Sequence, residues 1–98
     1  MTQFVLAHFT IHDRPEYEKY VAMATPIFIR EGVTVHANDE APVPVTPGLK
    51  VDKVVLLEFR DHDHLKHFFS LPDYIEAGKH RDAATDMTIV QFQRFEGL

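Results

Sequence analysis

The chain has 98 residues, of which 15 are acidic and 10 basic, for a net charge of −5. That balance excludes nucleic acid as a general partner, because phosphate binding draws on a surplus of Lys and Arg. The absence of cysteine excludes disulfides, thiolate metal sites and a Cys nucleophile, and fits a reducing, cytoplasmic setting.

Eight Phe and three Tyr in a sequence that is 45% hydrophobic supply a core for one domain, spanning residues 1–98. Phe4 to Ile11 is rich in aromatic and β-branched residues and reads as a strand rather than a signal peptide. Val5, Ala7, Phe9 and Ile11 share its wholly apolar face; Phe4, Leu6, His8 and Thr10 share the other. Asp13 caps a first helix, with Pro15 in the first turn and Glu16 completing a capping box. Tyr17, Tyr20, Val21, Ala24, Ile27 and Phe28 recur at helical spacing. Pro26 should kink that helix and Gly32 should end it.

Val33 to Asn38 reads as a second strand, with Val33, Val35 and Ala37 on one side and Thr34, His36 and Asn38 on the other. Glu40 to Lys50 holds Pro42, Pro44, Pro47 and Gly48 and reads as an extended excursion with a short edge strand at Val43–Val45. Asp52 to Arg60 is the clearest strand, and its nearly continuous apolar run predicts a central position. Asp61 caps a second helix with Leu65, Phe68 and Phe69 inward; Pro72 breaks or kinks it, and it resumes from Tyr74 to Ala84. Met87 to Phe95 is the last strand. No apolar run approaches the roughly 20 residues of a membrane helix.

The order βαββαβ predicts an α+β, ferredoxin-like antiparallel sheet with its helices on one face. The other face then exposes Phe4, Leu6, Val54, Leu56 and Ile89, where a solvent-facing sheet would carry polar residues. Two such faces packed by two-fold symmetry give a homodimeric α+β barrel. His8, His36 and Glu58 fall on this open face and are the candidate catalytic residues, two imidazoles and a carboxylate suited to acid–base work. Their alternative is structural: Glu58 paired with Arg81 or Lys53, or with the partner subunit. Arg81, as an anchor for an anionic ligand, and Tyr74 are candidate ligand-binding residues, or else tie the second helix to the sheet or to the partner subunit. His62, His64 and His67 lack the i, i+4 spacing of a helical metal pair, and His64 and His67 are read as a solvated face. No metal and no cofactor are expected, since no phosphate loop, heme-ligand pattern or catalytic Ser–His–Asp order is present.

The run Val54-Val55-Leu56-Leu57-Glu58-Phe59, then Phe68-Phe69-Ser70, Pro72-Asp73-Tyr74 and Arg81-Asp82-Ala83-Ala84, resembles domain-of-unknown-function family 1330. Pro26 and Pro42-Val43-x-Val45 fit the same pattern. Leu71 between Ser70 and Pro72, and Thr46-Pro47-Gly48 in place of a Gly-Asp-Trp turn, depart from it. The resemblance implies membership of the dimeric α+β barrel superfamily. That group includes small monooxygenases that use neither metal nor cofactor, heme-degrading relatives and chlorite-dismutase-like proteins. The positions that match the family pattern are Glu58, Tyr74 and Arg81. With the residues of the open face, the leading reading is a small-molecule-binding domain or a cofactor-independent, monooxygenase- or isomerase-like enzyme, whose polar pocket lies inside the dimeric barrel and is lined by His8, His36, Glu58 and several Phe. The reading from the other class is a non-catalytic dimeric binding or stress-responsive module, whose polar residues fasten the dimer.

Overall fold

The computed structural model describes residues 1–97. The elements run β1 (Gln3–Ile11), α1 (Arg14–Arg30), β2 (Thr34–Asp39), β3 (Lys53–Phe59), α2 (His62–Ser70), α3 (Pro72–Ala84) and β4 (Thr85–Gln93). The strands form one antiparallel sheet in the order β2-β3-β1-β4, so the first and third strands are central. This is the ferredoxin-like arrangement that the sequence predicts.

Local chemistry sets the helix limits. The Asp13 carboxylate accepts from the Glu16 N–H at 3.1 Å, and the Asp61 carboxylate accepts from the His64 N–H at 2.8 Å. The α1 helix runs through Pro26, whose missing N–H forfeits the bond to the Ala22 carbonyl. Beyond its end, Gly32 takes φ +67°, a left-handed conformation that glycine adopts without strain. The second helical stretch is two helices. Leu71, held at ψ 127° before Pro72, separates them, since the residue before a proline is pushed out of the helical region.

Strand alternation sorts the side chains into two layers. Val5, Ala7 and Phe9 of β1 and Lys53, Leu57 and Phe59 of β3 are buried beneath the helices. Phe68 is the centre of the aromatic core there. Its ring centroid lies 4.4 Å from that of Tyr74, 5.3 Å from Phe28 and 5.5 Å from Phe59.

Four expectations need correction. First, Ile89 pairs with Ala7 and so lies on the helix face; Val90 and Phe92, opposite Leu6 and Phe4, occupy the open face instead. Second, a β-bulge falls between Val35 and Ala37, because Val35 faces Leu57 while Ala37 faces the very next residue, Leu56. The extra residue, His36, shifts the alternation and puts Asn38 with Val35 on the helix face. Third, Val43–Val45 forms no strand. These valines stand 86% and 95% exposed in an irregular loop, and the flanking Pro42 and Pro44 have no N–H to give a ladder. Fourth, His64 is buried rather than solvated. No helix among the described residues is long and apolar enough to cross a membrane.

Candidate functional site

The five candidate residues separate onto opposite faces of the sheet. On the open face, the bulge turns His36 toward the neighbouring strand, where its Nε2 meets Glu58 Oε1 at 2.7 Å. The Phe4 ring lies 6.1 Å from the imidazole. This is the polar partner that a carboxylate on an apolar strand needs, and it is neither Arg81 nor Lys53. Both cations lie on the helix side of the sheet, since Lys53 is five residues before Glu58 and alternation sends the two to opposite faces. His8 is on the open face but pairs with Val54, whereas Phe4 pairs with Glu58. Four residues of strand, about 13 Å at 3.3 Å per residue, therefore separate His8 from the dyad within one chain.

Tyr74 and Arg81 belong to a cavity of about 340 Å³ between the helices and the sheet. The sequence accounts for this space. Ala7 stands mid-sheet between Val5 and Phe9, and Ala24 faces the same volume from α1, so two methyl groups occupy positions that larger side chains would fill. The rim includes the exposed residues Thr25, Ile29, Val35 and Ile89.

A chain of polar groups crosses one wall of the cavity. Arg81 Nη1 donates to the Tyr74 hydroxyl at 2.9 Å, and the Tyr74 and Tyr20 hydroxyls are 2.9 Å apart. Arginine only donates. Either tyrosine can give the proton between them, so the pair uses one of its two hydroxyl protons internally and leaves the other for a third group. The guanidinium lies 5.5 Å from the Tyr20 ring centre and 5.8 Å from that of Tyr74. Burial pushes the phenol pKa of both tyrosines up, so each is a neutral hydrogen-bonding group. On the other side, Lys53, its side chain only 6% exposed, reaches Glu40 Oε1 at 3.4 Å and lies 4.9 Å from the Tyr17 ring centre. Burial pushes the Tyr17 phenol up to about 12.

The histidines of α2 point in different directions. His64 Nδ1 accepts from the Arg60 N–H at 3.1 Å, so Nε2 carries the proton and donates to the Glu31 carbonyl at 2.7 Å. His67 contacts the Glu31 carboxylate and His62 the Gln91 amide. Among the described residues no group of three or more His, Asp or Glu is arranged to hold a metal ion.

Tyr20, Lys53 and Asn38 line the cavity, and none of them is among the candidate site residues to which the sequence points. Lys53 did carry a signal, being a charged residue in the inward register of Val55 and Leu57. Tyr20 carried none, since a tyrosine on an apolar helical stripe reads as core. Strand alternation alone sends Asn38 to the opposite face, and the bulge reverses it.

No curated protein matches the chain in sequence. Among solved structures, a protein of unknown function from Rhodopseudomonas palustris is 20% identical with a TM-score of 0.83, covering 98% of this chain and 84% of that one. A dimeric ferredoxin-like protein of unknown function from Jannaschia sp. CCS1 is 13% identical with a TM-score of 0.74, covering 96% and 100%. SnoaB from Streptomyces nogalater, described as a cofactor-independent oxygenase, is 17% identical with a TM-score of 0.67, covering 99% and 96%. At these identities the likeness is one of fold. The family model for a domain of unknown function, DUF1330, matches residues 2–95, and the chain belongs to that family.

Proposed function

We propose that this chain is a cytoplasmic small-molecule-binding domain that works as a homodimer, with its ligand seated between the helices and the sheet. The observation that carries the reading is the 340 Å³ cavity, apolar along most of its wall and provided with the Arg81–Tyr74–Tyr20 chain at one side. Ligand sites have this character: an apolar enclosure of roughly 300–1,000 Å³ with a few convergent polar groups. Homodimerisation is supported by the apolar open face and by the dimeric description of the Jannaschia protein.

A second reading is an enzyme of the monooxygenase or isomerase kind, which begins by taking a proton from a phenol or activated carbon. The 2.7 Å His36–Glu58 pair favours it, because a carboxylate held against an imidazole is a ready proton acceptor. SnoaB, with the same fold, is described as working without a cofactor. In this reading Glu58 is the base, His36 orients it, and His8 serves from the facing subunit.

One panel separates the two. 1-Naphthol is titrated into the native protein, Ala7→Leu and Glu58→Gln, following amide shifts by NMR and oxygen uptake. A seat in the cavity predicts shifts around Ala7, Tyr20 and Tyr74 that Ala7→Leu abolishes and Glu58→Gln leaves intact. Shifts that survive Ala7→Leu unchanged would remove the cavity as the seat. Oxygen uptake or product formation lost only in Glu58→Gln would establish the enzymatic reading.

A further inference from the structure

We infer that the ligand of the helix–sheet cavity is a small organic anion, a carboxylate or phenolate on an apolar body, whose charge is received by Arg81 and the Tyr20 hydroxyl. The inference rests on the cavity being the ligand seat and adds the chemistry of what sits there.

The charge on the wall is one-sided. The chain has 15 acidic and 10 basic residues. Yet the charged side chains lining the cavity are Lys53 and Arg81, and no Asp or Glu is among the lining residues. Burying a cation is costly unless something offsets it. The two cations differ in what offsets them. Lys53 reaches Glu40 and rests on the Tyr17 ring. Arg81 is held by Nε on Asp82 at 3.0 Å and by Nη1 on Tyr74, while Nη2 makes no hydrogen bond among the described residues. The Asp82 side chain is 70% exposed and that of Arg81 only 15%, so water weakens the carboxylate's hold while the guanidinium faces a drier space.

Room for that free nitrogen is built into α3. A Cβ on Gly78 would come within 3.2 Å of Arg81 Nη2, tighter than most packed carbons, so with any larger residue the guanidinium would have to give by a few tenths of an ångström. Gly78 also costs the middle of a helix some stability, which a packing requirement explains. Arg81 lies against Tyr20, its guanidinium carbon 5.5 Å from the ring centre, and the Tyr20–Tyr74 pair keeps one hydroxyl proton that its shared bond does not use. That leaves a guanidinium N–H and a phenol O–H on one wall for an incoming acceptor, and a carboxylate supplies two oxygens.

The cavity volume sets the size. At about 30 Å³ per water-sized atom it holds on the order of ten heavy atoms, a one- or two-ring aromatic acid or a short branched aliphatic one. The remaining wall, with Phe9, Val21, Phe28 and Leu57, suits such an apolar body.

The test compares 2-naphthoate with its neutral analogue 2-naphthamide by calorimetric titration at pH 7 and fixed ionic strength. NMR shifts locate each ligand. Naphthoate is expected to bind at least tenfold more tightly, a charge-assisted bond being worth about that in affinity. In Arg81→Gln the preference is expected to fall toward unity through loss of naphthoate binding alone. Should that variant fold poorly, Tyr20→Phe carries the test, since it removes one oxygen and keeps the ring; naphthoate is then expected to weaken about fivefold or more and naphthamide to stay within twofold. Equal affinity of both ligands in the native protein would overturn the anion inference and leave the cavity as a neutral apolar seat. A naphthoate preference surviving both substitutions would overturn the role given to Arg81 and Tyr20. If neither ligand perturbs cavity residues, the seat itself is lost and this inference with it.

Discussion

All three tyrosines of the chain are buried, and burial raises the phenol pKa of each. For Tyr20 and Tyr74 the cause is direct: a phenolate there would lose water and gain only one arginine already shared between two rings. The consequence for stability has a definite sign. An unfolded tyrosine ionises near pH 10, while the folded chain keeps its phenols protonated to higher pH. Above about pH 10 the unfolded state therefore holds fewer protons than the native one, and stability falls as pH rises. Below pH 10 the tyrosine contribution is fully present. A spectrophotometric titration is expected to show no phenolate absorbance while the helical circular dichroism persists, then ionisation together with unfolding. A tyrosine titrating near pH 10 with the helices intact would contradict the burial of the Tyr17–Tyr20–Tyr74 row.

At the scale of elements, the joint between α1, β3 and α2 is held by one imidazole. His64 accepts from the Arg60 N–H at the end of β3 and donates to the Glu31 carbonyl at the end of α1, while its own N–H is capped by Asp61. Replacing His64 with Ala leaves two partly buried backbone groups without partners. The expected cost is about 1–3 kcal/mol, read as a lowered midpoint in denaturant with unchanged slope. His67→Ala, three residues away but exposed, is expected to cost less than about 0.5 kcal/mol. Equal effects from the two would show that the buried contacts do not hold the joint. The contrast also marks what was legible in the sequence. The Asp13 and Asp61 caps, the strand ending in Glu58-Phe59 and the break before Pro72 each follow from chemistry within a few residues, and each is present. Helical spacing alone makes His64 look solvated, because its partners, Arg60 and Glu31, lie outside its helix and local spacing is silent about them. The bulge at His36 was hidden for the same reason: a strand's alternation shows one extra residue only against its neighbour. The candidate site was legible as residue types but not as a place, because strand parity assigns a face and cannot say where two methyl groups will leave a cavity.

The whole molecule is a sheet with two unlike faces. One is closed by the Phe59–Phe68–Tyr74 aromatic core and the three helices. The other runs in apolar rows, with Leu56, Leu6 and Val90 side by side and Phe4 stacked on Phe92 at 5.5 Å. Phe92 and Val90 are 42% and 48% exposed in the single chain, on strands whose outer face would alternate with polar residues if water covered it. A second copy brings the same rows to the same place, and the His36–Glu58 pair, already satisfied within one chain, can be covered without an unpartnered charge. Leu56→Lys tests this at the centre of the face. In a lone chain the new ammonium stands in water above a half-buried position, so the fold survives. In a dimer it would be buried against its own copy, two like charges with no acid facing them. The expected outcome is a folded monomer by light scattering at micromolar concentration, with native circular dichroism and a melting temperature independent of concentration. The native protein should be a dimer whose melting temperature rises with concentration, as mass action requires when only the folded form associates. A monomeric native protein would overturn the dimer itself, and a Leu56→Lys variant that stays dimeric would mean that the two copies meet elsewhere than on this face.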